Sequence, residues 1–183
     1  MLPQVHRKAY TPNKKNVIPV DFLIVNKGKK AAAGHFGKAV KGEFIRYMAE
    51  NNVDVAVLMG SDSDLPIVNE VFKIFDDFGI KYSKSVLSAH RTPHQVIELI
   101  KKSESNGCKL FIAAAGMAAH LAGAVAAHSL KPVIGIPIES GGLGGLDSLL
   151  STAQMPPGIP VATVAVGKAG AKNSAILAIQ MLA

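Results

Sequence analysis

The segment Ser88-Ala89-His90-Arg91-Thr92-Pro93 gathers side chains that can hold an anion and move a proton. Arg91 offers a rigid fork of donors matched to phosphate or carboxylate. His90 is the residue type that exchanges a proton near neutral pH. Pro93 suits the first turn of a following helix, which places the polar residues in the loop before it. A solvated polar loop is the plain alternative, yet neither His90 nor Arg91 is explained as core. His90 and His94 stand four apart, the spacing of a possible metal pair. Pro93 lies between them and the helix begins only there, so no metal site is expected.

Three further segments carry chemistry. In Gly60-Ser61-Asp62-Ser63-Asp64, hydroxyls and carboxylates can cap a helix, and the helix's free N–H groups can receive a phosphate. Two Ser and two Asp exceed what one cap needs. Asp64 suits ribose hydroxyls, while Ser61 and Ser63 can donate to anionic oxygens. The run from Ala113 to Gly123 is built of small residues around Gly116, Met117 and His120, and it lets backbone come close to a ligand or another subunit. Helix packing accounts for the alanines. His120 on an Ala-rich helix reads as a structural histidine or as a site residue, and composition leaves both open. The loop Ser140-Gly141-Gly142-Leu143-Gly144-Gly145 suggests a mobile flap, and it lacks the Lys and Ser/Thr of a P-loop. Gly34-His35-Phe36-Gly37-Lys38 fails the same test, so ATP hydrolysis is not supported.

These segments fall at regular places in a repeating pattern. Aliphatic runs at 53–59, 80–86, 109–115, 132–138 and 160–166 alternate with helical spacing at about 64–78, 93–106, 118–129, 144–154 and 170–182. Five βα units in a row predict a three-layer α/β/α fold, with a doubly wound parallel sheet of flavodoxin-like order. In such sheets ligands bind at the carboxyl ends of the strands, where all four polar segments fall.

The 183 residues predict one domain plus an appendage. The formal charge of +7 is confined to residues 1–50, with ten Lys/Arg against three Asp/Glu; residues 51–183 carry ten of each. The domain proper therefore has no basic surface excess, and nucleic acid is not an expected partner. Residues 1–50 read as a basic extension with an apolar run at 17–25 and a helix at 35–50, and 51–183 as the catalytic domain. Met48 stands where a start for the compact domain would fall, so residues 1–47 are expected to add nothing to catalysis. A transit peptide is the rival reading, weakened by the absence of Ser from this stretch and its excess of Lys over Arg. Cys108 is the only cysteine, so no internal disulfide forms, which fits the cytoplasm. Its expected role is that of a small residue at a strand entrance. No run reaches the ~18 apolar residues of a membrane span.

Five segments in order, Gly60 to Asp64, Ser88 to Pro93, Gly116 to Leu121, Leu146-Asp147-Ser148-Leu149 and Gln154-Met155-Pro156, resemble the 5-(carboxyamino)imidazole ribonucleotide mutase family, class I of the phosphoribosylaminoimidazole carboxylases. The resemblance covers about Val53 to Ala183. It implies a flavodoxin-like domain that assembles as a homo-octamer and uses no metal, ATP or organic cofactor. It implies that Ser61, Ser63, Ser88 and Arg91 hold the nucleotide phosphate and nearby oxygens, with Gly116 at the substrate, and that Asp64 takes the ribose hydroxyls. His90 would be the general acid/base and His120 a second histidine of the site. The implied reaction moves a carboxylate from the exocyclic nitrogen to the adjacent ring carbon, through CO2 held in a closed pocket.

The sister class, aminoimidazole ribonucleotide carboxylase, takes CO2 from solution; it tends to have Lys after the Ser-Ala-His triplet and to lack the later histidine. Arg91-Thr92-Pro93 and Ala119-His120-Leu121 match the mutase instead. A non-catalytic nucleotide-binding module of the same fold would explain Ser61, Asp64 and Arg91 but not His90. Met117 and Ala122 depart from the Gly and Pro of many members, and Ala114 replaces a frequent Gly.

Overall fold

Aliphatic residues that alternate between two faces need a helix layer on each, and the chain supplies both. The computed structural model describes residues 53–183; the apolar run at 17–25 and the helix expected at 35–50 lie outside them. Five strands, β1 (Val55–Met59), β2 (Tyr82–Val86), β3 (Leu110–Gly116), β4 (Val133–Ile138) and β5 (Ala162–Thr163), form one sheet in the order β2-β1-β3-β4-β5. Every neighbouring pair is parallel. The crossovers run through α1 (Leu65–Phe78), α2 (Pro93–Ser105), α3 (Leu121–Ala126) and α4 (Leu146–Ala153), and α5 (Gly167–Leu182) follows β5. This is the flavodoxin-like order that the five repeating units predict.

One face of the sheet, with Val55, Val57, Met59, Ile112, Ile134 and Ile136, packs on Val68, Val71, Phe72 and Phe75 of α1 and on Ala171, Ala175 and Ala178 of α5. The other, with Ala56, Leu58, Phe111 and Ala113, packs on Val96, Leu99 and Ile100 of α2 and on Leu121, Ala122 and Val125 of α3. Both faces of each central strand are thus covered, which is why β1 reads as an unbroken aliphatic run.

Element ends differ from the expected ones for local reasons. A 3-10 turn, Asp62–Asp64, precedes α1, so the helix itself begins at Leu65 with Pro66 in its first turn. Gly79 closes α1 in the left-handed conformation (φ 68°), and Ile80 N–H bonds back to the Phe75 carbonyl, which delays β2 to Tyr82. α3 starts later than the 118–129 segment, because Met117 takes a positive φ and the helix begins only at Leu121; it ends at Ala126. β5 keeps two residues of the expected seven; it is an edge strand that starts after Pro160, which has no N–H to pair.

Candidate active site

The carboxyl end of β1 is where the chain divides. Gly60 N–H still bonds Ala114 of β3 at 2.9 Å, but the segment after β1 turns into α1 on one face while that after β3 turns into α3 on the other. The crevice between them is the switch point of a doubly wound sheet.

The first wall is the turn after β1. Ser61 Oγ accepts from Ser63 N–H at 3.3 Å and from the Ser63 hydroxyl at 2.8 Å, and Asp64 Oδ2 accepts from Ser61 N–H at 3.1 Å. This is a reciprocal capping box, so capping is part of what the two Ser and Asp64 do. Asp64 is nevertheless buried, and burial pushes its carboxyl above the usual carboxylate range, against the lowering pull of the Ser61 N–H and the nearby Arg91 charge.

The second wall is the loop after β2. Thr92 Oγ1 accepts from Ser88 N–H at 2.9 Å and donates to the Ser88 carbonyl at 3.0 Å, while Arg91 N–H reaches Ser88 Oγ at 3.2 Å. The loop is closed on itself before α2 begins. Arg91 extends across the crevice and donates from Nη2 to the Gly60 carbonyl at 3.0 Å. Its guanidinium therefore stands beside the β1 turn, with donor positions left for an anion.

The third wall descends from β3. His120 Nδ1 and His90 Nε2 are 2.8 Å apart, with ring centroids at 4.9 Å and planes at 75°. The two ring nitrogens are within hydrogen-bonding distance on an exposed rim, and which of them donates depends on the tautomer. Thirty residues separate the two histidines, and two different loops bring them together. Gly116, at the end of β3, faces Ser140 at the end of β4: a Cβ at position 116 would overlap the Ser140 hydroxyl. Any side chain there would have to displace Ser140, so the close approach favours glycine. Met117 follows with φ 54°, a conformation that costs a non-glycine residue about 1 kcal/mol or more.

Every site residue expected from the sequence thus lies at the carboxyl ends of β1, β2 and β3. His90 pairs with His120, Arg91 with the Gly60 carbonyl, Ser88 with the Arg91 backbone, and Ser61, Ser63 and Asp64 with one another. His94 takes no part in these contacts and lies in the first turn of α2. Cys108 is buried, its thiol pushed up to about 11 chiefly by that burial, so it sits inert at the entrance of β3 as a small packing residue. Sequence reasoning quoted Ser148 among the family segments but gave no role to the hydroxyls of α4. Ser148 donates to carbonyls of Ile138 and Gly145, both at 2.9 Å, and Ser151 accepts from Ala119 N–H at 2.9 Å. The available signal was hydroxyls at helical spacing, 148, 151 and 152, on a helix that also had to be partly buried.

A family profile described as AIR carboxylase matches residues 54–183. The chain belongs to the AIR carboxylase family. Among its relatives, the N5-carboxyaminoimidazole ribonucleotide mutase of Pyrococcus abyssi is 54% identical over 128 residues, covering 70% of this chain and 72% of the relative. The enzyme of the same name from Escherichia coli is 48% identical over 133 residues, covering 73% and 79%. The crystal structure of Treponema denticola PurE superposes with a TM-score of 0.64 at 33% identity, over 70% of this chain and 78% of that one. Membership in the AIR carboxylase family agrees with the sheet order, and relatives bearing the mutase name agree with the class read from Arg91 and His120. Among the described residues, no helix is long and apolar enough to cross a membrane.

Proposed function

We propose that this protein is the purine-biosynthesis mutase that converts 5-(carboxyamino)imidazole ribonucleotide to 5-amino-4-imidazolecarboxylate ribonucleotide. The observation that carries the reading is the His90–His120 pair at 2.8 Å, set beside Arg91 at the switch point of the sheet. Arg91, Ser61, Ser63 and Ser88 hold the phosphate and neighbouring oxygens; Asp64 takes the ribose hydroxyls. Gly116 keeps the floor of the crevice free of a side chain.

The chemistry follows from what must move. The bond between the exocyclic nitrogen and the carboxylate breaks, releasing CO2, and that nitrogen takes a proton. The electron-rich ring carbon attacks CO2, forms the new bond and then gives up its own proton. Proton count is unchanged, so one shuttle suffices, and no metal, nucleotide triphosphate or organic cofactor is needed. His90 removes the ring proton, and its partner His120 supplies a second nitrogen to receive or return one. The protein's remaining task is to confine CO2 beside the ring and exclude water.

The chain acts in the cytoplasm as a homo-octamer, with no nucleic acid or membrane partner. Leu143, Leu146 and Leu150, exposed by 65, 57 and 48%, give α4 and the flap before it the apolar outer surface that an assembly would cover. The decisive test is His90→Asn, expected to lower kcat by about 10³ while leaving nucleotide binding within a few fold. Unchanged turnover would overturn the proton role. Product from aminoimidazole ribonucleotide and bicarbonate only, and none from the carboxyamino compound, would transfer the chain to the carboxylase class.

A further inference from the structure

The His120 loop is held in an unfavourable shape, and a residue outside the recognised segments holds it. Met117 is the one non-glycine residue with positive φ among the described residues, and three residues later His120 meets His90. A side chain in the left-handed region persists only where its surroundings fix it. The Met117 side chain is mostly exposed, at 59%, so its own packing does not fix it. What lies on both sides of the strained peptide is Ser151 of α4. Its Oγ accepts from Ala119 N–H at 2.9 Å, on the His120 side of the turn. Its proton goes to the Asp147 carbonyl at 2.8 Å, with the Ser148 and Met117 carbonyls as more distant acceptors at 3.3 and 3.4 Å. The same helix is fixed to the end of β4 by Ser148, whose Oγ is buried against the carbonyls of Ile138 and Gly145.

We infer that Ser151 is a positioning residue: it clamps the Met117–Ala119 turn to α4 and thereby holds His120 within hydrogen-bonding distance of His90. This rests on the placement of the two histidines at the reacting centre. Without the clamp, Met117 relaxes toward an ordinary backbone conformation, the turn opens and His120 withdraws. Recognition of the phosphate and ribose, which depends on the β1 and β2 walls, is left largely as it was.

The test uses the full chain with Ser151→Ala, and Ser151→Ala combined with Met117→Gly. Glycine adopts the left-handed conformation without strain, so it restores the turn by a second route. Ser151→Ala is expected to lower kcat for the carboxyamino nucleotide about tenfold or more with KM within about threefold, and the double variant to recover most of the loss. Imidazole nitrogen resonances of the His90–His120 pair, read by NMR, change in the single variant and return in the double one. Wild-type imidazole resonances and kcat in Ser151→Ala would overturn the clamp. So would a double variant no better than the single one. Changed resonances with unchanged kcat would leave the clamp standing and overturn the place of His120 in the reaction.

Discussion

Asp64 shows how one side chain can serve the fold poorly and the site well. Its carboxylate closes the capping box through Ser61 N–H, yet burial raises its pKa above that of an exposed Asp. A carboxyl whose folded pKa is raised binds its proton more tightly in the folded state. Its favourable contribution is therefore complete in acid below the unfolded value, near 3.8, and is lost as pH rises through the folded value. At neutral pH the buried charge is a net burden that the Arg91 charge only partly offsets. Asp64→Asn, which can still accept from Ser61 N–H, is thus expected to raise Tm by about 2 °C at pH 7, with the gain vanishing near pH 4. Calorimetry across that range checks it; a variant less stable than the parent at pH 7 would refute the sign. The same change should weaken nucleotide binding if Asp64 meets the ribose, the common exchange of stability for function. Composition alone could mark Asp64 as a candidate, because two Ser and two Asp exceed one cap. Its burial was not legible, since it arises only once the turn after β1 folds back on itself through the Ser61 N–H.

At the scale of elements, the loops were harder to read than the layers. Five alternating runs were enough to give the sheet order, since right-handed crossovers on both faces leave few other arrangements. Strand and helix ends were set instead by single residues: Gly79, Met117 and Pro160 each stop or delay an element by conformation rather than by hydropathy. The β2–α2 loop is the instructive case. Its sequence announces His90 and Arg91, but what fixes their direction is Thr92, which bonds Ser88 twice through one hydroxyl and again through its own N–H. A threonine before proline looks like an ordinary cap, and its role appears only once Ser88 is seen four residues back. Thr92→Ala removes both side-chain bonds and is expected to destabilise the fold by about 1 kcal/mol, seen as a lower Tm. Arg91 and His90 lose their fixed origin together, so KM should rise and kcat fall in the same variant, by about three- to tenfold each. Thr92→Ser, which keeps the hydroxyl, should restore both. A loss of stability with unaltered kinetics would show that the loop positions nothing.

At the scale of the whole chain, the question is which part does the work. The +7 charge resides entirely in residues 1–50, and residues 51–183 balance at ten against ten. The family match begins at residue 54, and β1, its first strand, is an interior strand of the sheet, between β2 and β3. Val53 is already buried against α2 and β3. Among the described residues, 53–183, both hydrophobic layers have a helix face packed on the sheet, and each proposed site residue comes from the same stretch. The family match asks for nothing before residue 54, so the segment ahead of Met48 should be removable. A chain begun at Met48 is therefore expected to keep Tm within about 2 °C and kcat within about twofold of the full-length protein. It should also elute at the same multiple of its own mass, if the exposed leucines of α4 and its flap form the assembly surface. Differential scanning calorimetry, a turnover assay and light scattering on the two chains decide it. A large drop in turnover with Tm preserved would place a function in the basic segment, and a smaller assembly would place the subunit contacts there.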